Sequence, residues 1–203
     1  MESNRDRNNG DRNNRNRIER FVVGFLGTNC YLIYGETSKS GFLIDPGLFD
    51  KRIKAAIEKN GIRVKSVVNT HGHADHTAGD RKAGYPVLIH EADKDFVNDL
   101  KDNLSFLKDG DIIKEDGVEL KVIHTPGHTP GGICLKVGDV LFTGDTLFRD
   151  GVGRTDFPYG DEADLMRSIR TRLMTFPDET RVLPGHGPES TIGHEKKNNP
   201  FFQ

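Results

Sequence analysis

Four times in this chain a short apolar run stops and hands over at once to a turn of small residues bearing His or Asp: VVNTHGH, VIHTPGH, VLFTGD and VLPGHG. The length and β-branched content of such runs argue for strands. Ligand sites in sheet proteins gather where loops leave strand ends, with the strands holding the loops rigid. A fold that satisfies this sequence must therefore bring these strand ends to one place. GFLIDPG has the same shape, which adds Asp45 to the expected rim.

Other runs fill in the architecture: FVVGFL, CYLIYG, PVLIH, DIIK, VELKVIH and ICLKV are further strand candidates. Between them, residues 49–60 carry Ile53 and Ile57, and residues 161–174 carry Leu165, Ile169 and Leu173, each four apart on one helical face. Many strands with a few amphipathic helices suit two sheets packed face to face with helices outside, although spacing alone also permits other α/β layouts. At 203 residues, with 34% apolar and 30% charged side chains, one domain is expected. It should cover residues 21–203. The first twenty residues, MESNRDRNNGDRNNRNRIER, hold almost nothing apolar and read as a disordered tail.

A net charge of -2 supplies no field to draw a polyanion or an anionic membrane, so a small-molecule partner is expected. The arginines of the tail argue only weakly for nucleic acid, because Asp6 and Asp11 dilute them and no aromatic residue interrupts them for stacking. No window reaches the roughly 18–20 apolar residues of a membrane span, and no apolar secretory signal opens the chain. The expected compartment is the cytoplasm. Cys30 and Cys134 form no CxxC pair and read as ordinary core thiols.

The densest stretch is NTHGHADHTAG, residues 69–79, which places His71, His73, Asp75 and His76 within six positions. Imidazoles with a carboxylate suit Zn, Fe or Mn. Four donors exceed what one catalytic cation takes from a single segment, and the other strand ends add His128, Asp145 and His186. Seven donors point to two divalent cations, about 3.5–4 Å apart when a carboxylate bridges them, with Asp145, alone on its turn, as the natural bridge. His90, His124 and His194 lack a glycine-bordered strand end and are expected outside the centre, with His124 the best placed to support a ligand.

THGHADH, TPGHTPGG, FTGDTLF and PGHGP, in this order, closely resemble the metallo-β-lactamase superfamily. That resemblance implies a four-layer αββα sandwich with a dinuclear site at one edge. It implies His71, His73 and His128 on the first metal, Asp75, His76 and His186 on the second, and Asp145 between them, with zinc first and iron or manganese as alternatives. Asp45 would order the ligand loop. GDTLFRDGVGRTDFPYGD and PGHGPESTIGHEKKNNPF are similar to short members of the glyoxalase II group, which hydrolyse S-hydroxyacylglutathione thioesters. On that likeness a metal-bridging hydroxide, oriented by Asp75 and Asp145, attacks the thioester, and Arg154 contacts substrate. Full-length glyoxalase II enzymes add a C-terminal helical domain that contributes basic residues to glutathione binding, and no counterpart to it is expected in residues 21–203. GRTDF also resembles persulfide dioxygenases, in which His71, His128 and Asp145 would hold one iron, although Pro158 stands where those enzymes usually have glutamine. True lactamases place Cys or Ser at the position of Asp145.

Overall fold

The computed structural model describes residues 15–203. The segment expected to be a tail is divided by this boundary: residues 1–14 lie outside the described residues, whereas Asn16–Val23 form the first strand, β1. β1 pairs antiparallel with β2, Thr28–Gly35, from Asn16↔Gly35 to Val23↔Thr28. Composition misled here because a ladder is built from backbone groups, and Ile18 on one face with Phe21 and Val23 on the other suffices to seat an edge strand on the core. The run FVVGFL does not continue as strand beyond Val23. Gly24 and Gly27, at φ 68° and 70°, turn the chain there and leave Phe25 and Leu26 exposed at a hairpin tip.

The next elements are β3 Ser40–Ile44, α1 Lys51–Asn60, β4 Arg63–Val68, the one-turn helices α2 Ala74–Thr77 and α3 Asp80–Ala83, and β5 Val87–His90. A 3-10 segment, Glu91–Asn103, leads to β6 Leu104–Leu107. Then come β7 Ile112–Glu115, β8 Val118–His124, β9 Ile133–Val137, β10 Val140–Gly144 and the small hairpin β11 Leu147–Phe148 with β12 Gly151–Val152. The chain closes with α4 Glu162–Ser168, β13 Arg181–Pro184, β14 Ser190–Thr191 and α5 Ile192–Asn198. Among the described residues these strands make two six-stranded sheets, β1-β2-β3-β4-β5-β6 and β14-β13-β10-β9-β8-β7, and no helix is long and apolar enough to cross a membrane.

Both expected helices are present. Asp50 caps α1 by accepting from the amides of Arg52 and Ile53, and Gly61 ends it at φ 63°. α4 runs on as a wider π turn, Ile169–Leu173, that keeps Leu165, Ile169 and Leu173 fully buried on one face.

Why the strands read as continuous apolar runs is clear from the layers. Along β2, Tyr31 and Ile33 join the core between the sheets with Phe42, Leu120, Leu135 and Phe142, while Cys30, Leu32 and Tyr34 face α1 with Ile53 and Ile57. On the other sheet, Cys134 and Leu141 face α4 and α5 with Leu165, Ile169 and Ile192. Each sheet is thus covered on both sides, giving the four-layer αββα sandwich. Removing a side chain the size of Phe42 from water contributes roughly 1.5–3 kcal/mol. Both thiols are free and buried, as expected, with their pKa raised by that burial.

Direction matters more to function than composition. β3, β4, β5 and β6 are neighbours in parallel, so their C-terminal ends share one edge. β8 and β10 both run antiparallel to β9, and β13 is parallel to β10, so these three also end together. The turns after β3, β4, β8, β10 and β13 carry Asp45, His71, His128, Asp145 and His186 respectively.

Candidate metal centre

After β4 the chain makes the turn Asn69–His73 and enters α2. Asp45, in a left-handed conformation at φ 50° and buried, holds this turn: its carboxylate accepts from the Thr70 amide and hydroxyl, both at 2.7 Å. The same carboxylate lies 3.0 Å from His76 Nδ1, which leaves Nε2 of that ring facing inward. Thr28 donates to Asp75 Oδ2 at 3.0 Å.

The dispersed donors are aimed by backbone carbonyls. His128 Nδ1 lies 2.7 Å from the Arg154 carbonyl oxygen and His186 Nδ1 lies 3.2 Å from that of Leu26. Donation there turns each Nε2 toward the centre. Gly185 lets the chain pass close by, since a Cβ at that position would stand 2.7 Å from His76 Cε1.

All seven expected donors meet. His71, His73 and His128 form one group, Asp75, His76 and His186 another, and His71 also groups with His76 and Asp145. His73 Nδ1 is 2.9 Å from His128 Nε2, and His186 Nε2 is 3.1 Å from Asp75 Oδ2. Asp145 reaches both groups: its oxygens are 3.4 Å from His76 Nε2 and 3.6 Å from both His128 Nε2 and His186 Nε2.

Charge divides the cluster. Burial and the surrounding histidines push His71 well below the usual imidazole range, and burial with His128 lowers His73. Burial opposes charging at His76 too, but Asp145 and Asp45 overcome it and raise its pKa; a hydrogen bond to Asp75 and the charge of Asp145 raise His186. Burial alone would raise Asp75 and Asp145, yet the neighbouring histidines hold both below the ordinary carboxylate range.

A cavity of about 800 Å³ opens over the donors, walled by Leu26, Phe96, Phe148, Phe157 and Tyr159. Arg154 lines it, but its guanidinium is bidentate to Asp156 at 2.9 and 2.7 Å and lies 4.2 Å over the Phe157 ring. The residue's closest link to the centre is its carbonyl. His124 and His90 stand outside, their rings stacked 4.0 Å apart, and His124 Nε2 is 2.8 Å from the Pro130 carbonyl in the loop that carries His128. His194 pairs with Asp150 at 2.7 Å, away from the seven donors. Sequence reasoning missed Asp93, a fully buried carboxylate among the loops. The signal was present, because IHEADKD is another strand end on the same edge.

His71 Nε2 is buried with no hydrogen-bond partner, and Asp145 Oδ1 has only its 3.4 Å approach to His76. Buried polar atoms are otherwise nearly always paired. A converging set of imidazole and carboxylate donors with orphaned atoms suits divalent cations, and two groups sharing one carboxylate suit a pair of them.

Residues 23–186 match the family description "Metallo-beta-lactamase superfamily". The chain belongs to that superfamily. It is 38% identical to "Hydroxyacylglutathione hydrolase GloC" of Haemophilus influenzae over 91% of this chain and 97% of that protein. Among solved structures it resembles BLEG-1 B3 metallo-beta-lactamase, with TM-score 0.82 and 28% identity over 92% of this chain and all of that one. It also resembles ETHE1 from Myxococcus xanthus, with TM-score 0.75 and 30% identity over 91% of this chain and 83% of that one. This superfamily member is a metal-dependent hydrolase with a mixed α/β sandwich fold.

Proposed function

We propose that this hydrolase is a glyoxalase II-like thioesterase acting on S-hydroxyacylglutathione, such as S-D-lactoylglutathione. The observation that carries the reading is the convergence of seven donors at one sheet edge, with His71 Nε2 and Asp145 Oδ1 lacking hydrogen bonds. The likeness to GloC supports the substrate. His71, His73 and His128 would hold one divalent cation, Asp75, His76 and His186 a second, with Asp145 between them, and zinc is the metal we assign. When bound, such cations polarise a carbonyl oxygen and lower the pKa of water towards about 7.

The chain's own residues do the rest. Asp75 and Asp145 are held ionised by their histidine neighbours and act as acceptors that orient an attacking water. The carbonyls of Arg154 and Leu26 keep the His128 and His186 rings turned. Leu26, Phe148 and Phe157 give the cavity an apolar wall beside the donors, against which the acyl chain of a substrate would lie. Among the described residues no serine or cysteine lines the cavity, so an attacking water is the nucleophile of this reading.

Elemental analysis of the purified protein beside hydrolysis of S-D-lactoylglutathione tests the proposal. Two equivalents of divalent metal with thioester turnover are expected. The likeness to ETHE1 favours a second reading, an iron oxidoreductase of the persulfide dioxygenase kind using His71, His128 and Asp145. One equivalent of iron with stoichiometric oxygen uptake on glutathione persulfide would replace the hydrolase by that reading.

A further inference from the structure

Asp93 follows β5 at the start of the 3-10 segment, is 0% exposed, and accepts three hydrogen bonds. The Gly72 amide donates to Oδ2 at 2.8 Å, the Thr129 hydroxyl to Oδ2 at 2.7 Å, and the Gly131 amide to Oδ1 at 2.6 Å. Gly72 stands between His71 and His73; Thr129 follows His128 directly. One carboxylate therefore clasps the two loops that supply the group His71, His73 and His128. Gly131 is part of the clasp, since a Cβ there would lie 2.6 Å from Asp93 Cγ.

Withdrawing a carboxylate from water is costly unless it is well bonded, and all three partners here are donors flanking metal-ligand candidates. The group Asp75, His76 and His186 is held differently. It is fixed by Thr28, Asp45 and the Leu26 carbonyl, and none of these is bonded to Asp93.

The geometry points to Asp93 as the positioning residue for one cation position only, the one formed by His71, His73 and His128. This rests on the two-cation reading above. Loss of the clasp lets the turn at Gly72 and the turn at Thr129 drift apart, spreading three donors that must converge, while the second group keeps its own anchors.

The test is a cobalt(II) titration of the metal-free full chain followed by visible absorbance, with metal stoichiometry measured separately. Wild type should show two binding phases, and the phase removed by His73→Ala identifies the first position. Asp93→Asn presents an NH2 group to donors and should weaken that phase by about 10- to 100-fold, leaving the other within about twofold. Gly131→Ala, which crowds the carboxylate but retains it, should weaken the same phase. If Asp93→Asn does not fold, Thr129→Val, which removes one of the three bonds, carries the test with a smaller loss of that phase. Equal weakening of both phases, or of neither, overturns the inference. A stoichiometry of one in wild type overturns the two-cation reading itself and this inference with it.

Discussion

The two donor groups are equal in number but not in construction. His71, His73 and His128 come from loops on different sheets, clasped across by Asp93, with the Arg154 carbonyl turning His128, and burial keeps His71 and His73 toward the neutral form. Asp75 and His76 come from one helical turn and meet His186 under carboxylates that favour the charged imidazole on His76 and His186. Burial thus favours the neutral, ligating form of His71 and His73 before any cation arrives. The other group is an ion-paired cluster that must give up protons when a cation enters. Similar ligand counts do not make equivalent sites; the surrounding hydrogen bonds and charges decide what each position costs to fill.

Three measurements break or sharpen that comparison. The largest effect is expected for Asp145→Ala, since this carboxylate stands within 3.4–3.6 Å of histidines from both groups. Turnover should fall by about a hundredfold or more and stoichiometry should drop below two. Wild-type metal content and activity in that variant would make Asp145 a bystander. A smaller, one-sided effect is expected for Asp45→Asn, which removes the acceptor facing His76 Nδ1. The second position should weaken by about 10- to 100-fold in the same cobalt titration. Loss concentrated at the first position instead would show that Asp45 acts mainly through Thr70, which it also bonds.

The smallest effect concerns acid. His90 is buried against His124, with Asp93, Glu91 and Asp109 also in its field, and burial and His124 lower its pKa from 6.5. The folded chain therefore binds fewer protons at His90 than the unfolded chain does. Its contribution leaves stability unchanged above about pH 6.5 and subtracts from it as pH falls below that value toward the lowered pKa. Urea midpoints at pH 7.5 and 5 should drop less between the two conditions in His90→Gln than in wild type. An equal drop would place the acid sensitivity elsewhere.

The donors themselves were legible because they sit in local signatures, a dense loop and three strand ends, and ligand chemistry restricts them to few residue types. The strands and helices were legible because apolar runs of strand length and helical spacing are short-range patterns, whereas the four-layer sandwich was implied by the superfamily resemblance, spacing alone having left other α/β layouts open. What escaped lay either in backbone or at long separation. Leu26 and Arg154 act through carbonyls, which no side-chain pattern reveals, and Leu26 meets His186 across 160 positions. Asp93 follows a strand end that the sequence showed, but its partners Gly72, Thr129 and Gly131 lie 21 to 38 positions away. The start of β1 escaped because it is an edge strand held by its ladder, with arginines outward.

By itself the amino-acid sequence determined which atoms were available to hold cations and that strands would carry them to turns. Tertiary structure alone decided that Arg154 turns its charge to Asp156 and its carbonyl to His128, that the Leu26 carbonyl faces His186, and that Asp93 closes one group. The reason is range: strand and helix patterns arise between neighbours in the chain, whereas hydrogen bonds and charge pairs depend on distances of about 3 Å that exist only once the sheets have packed.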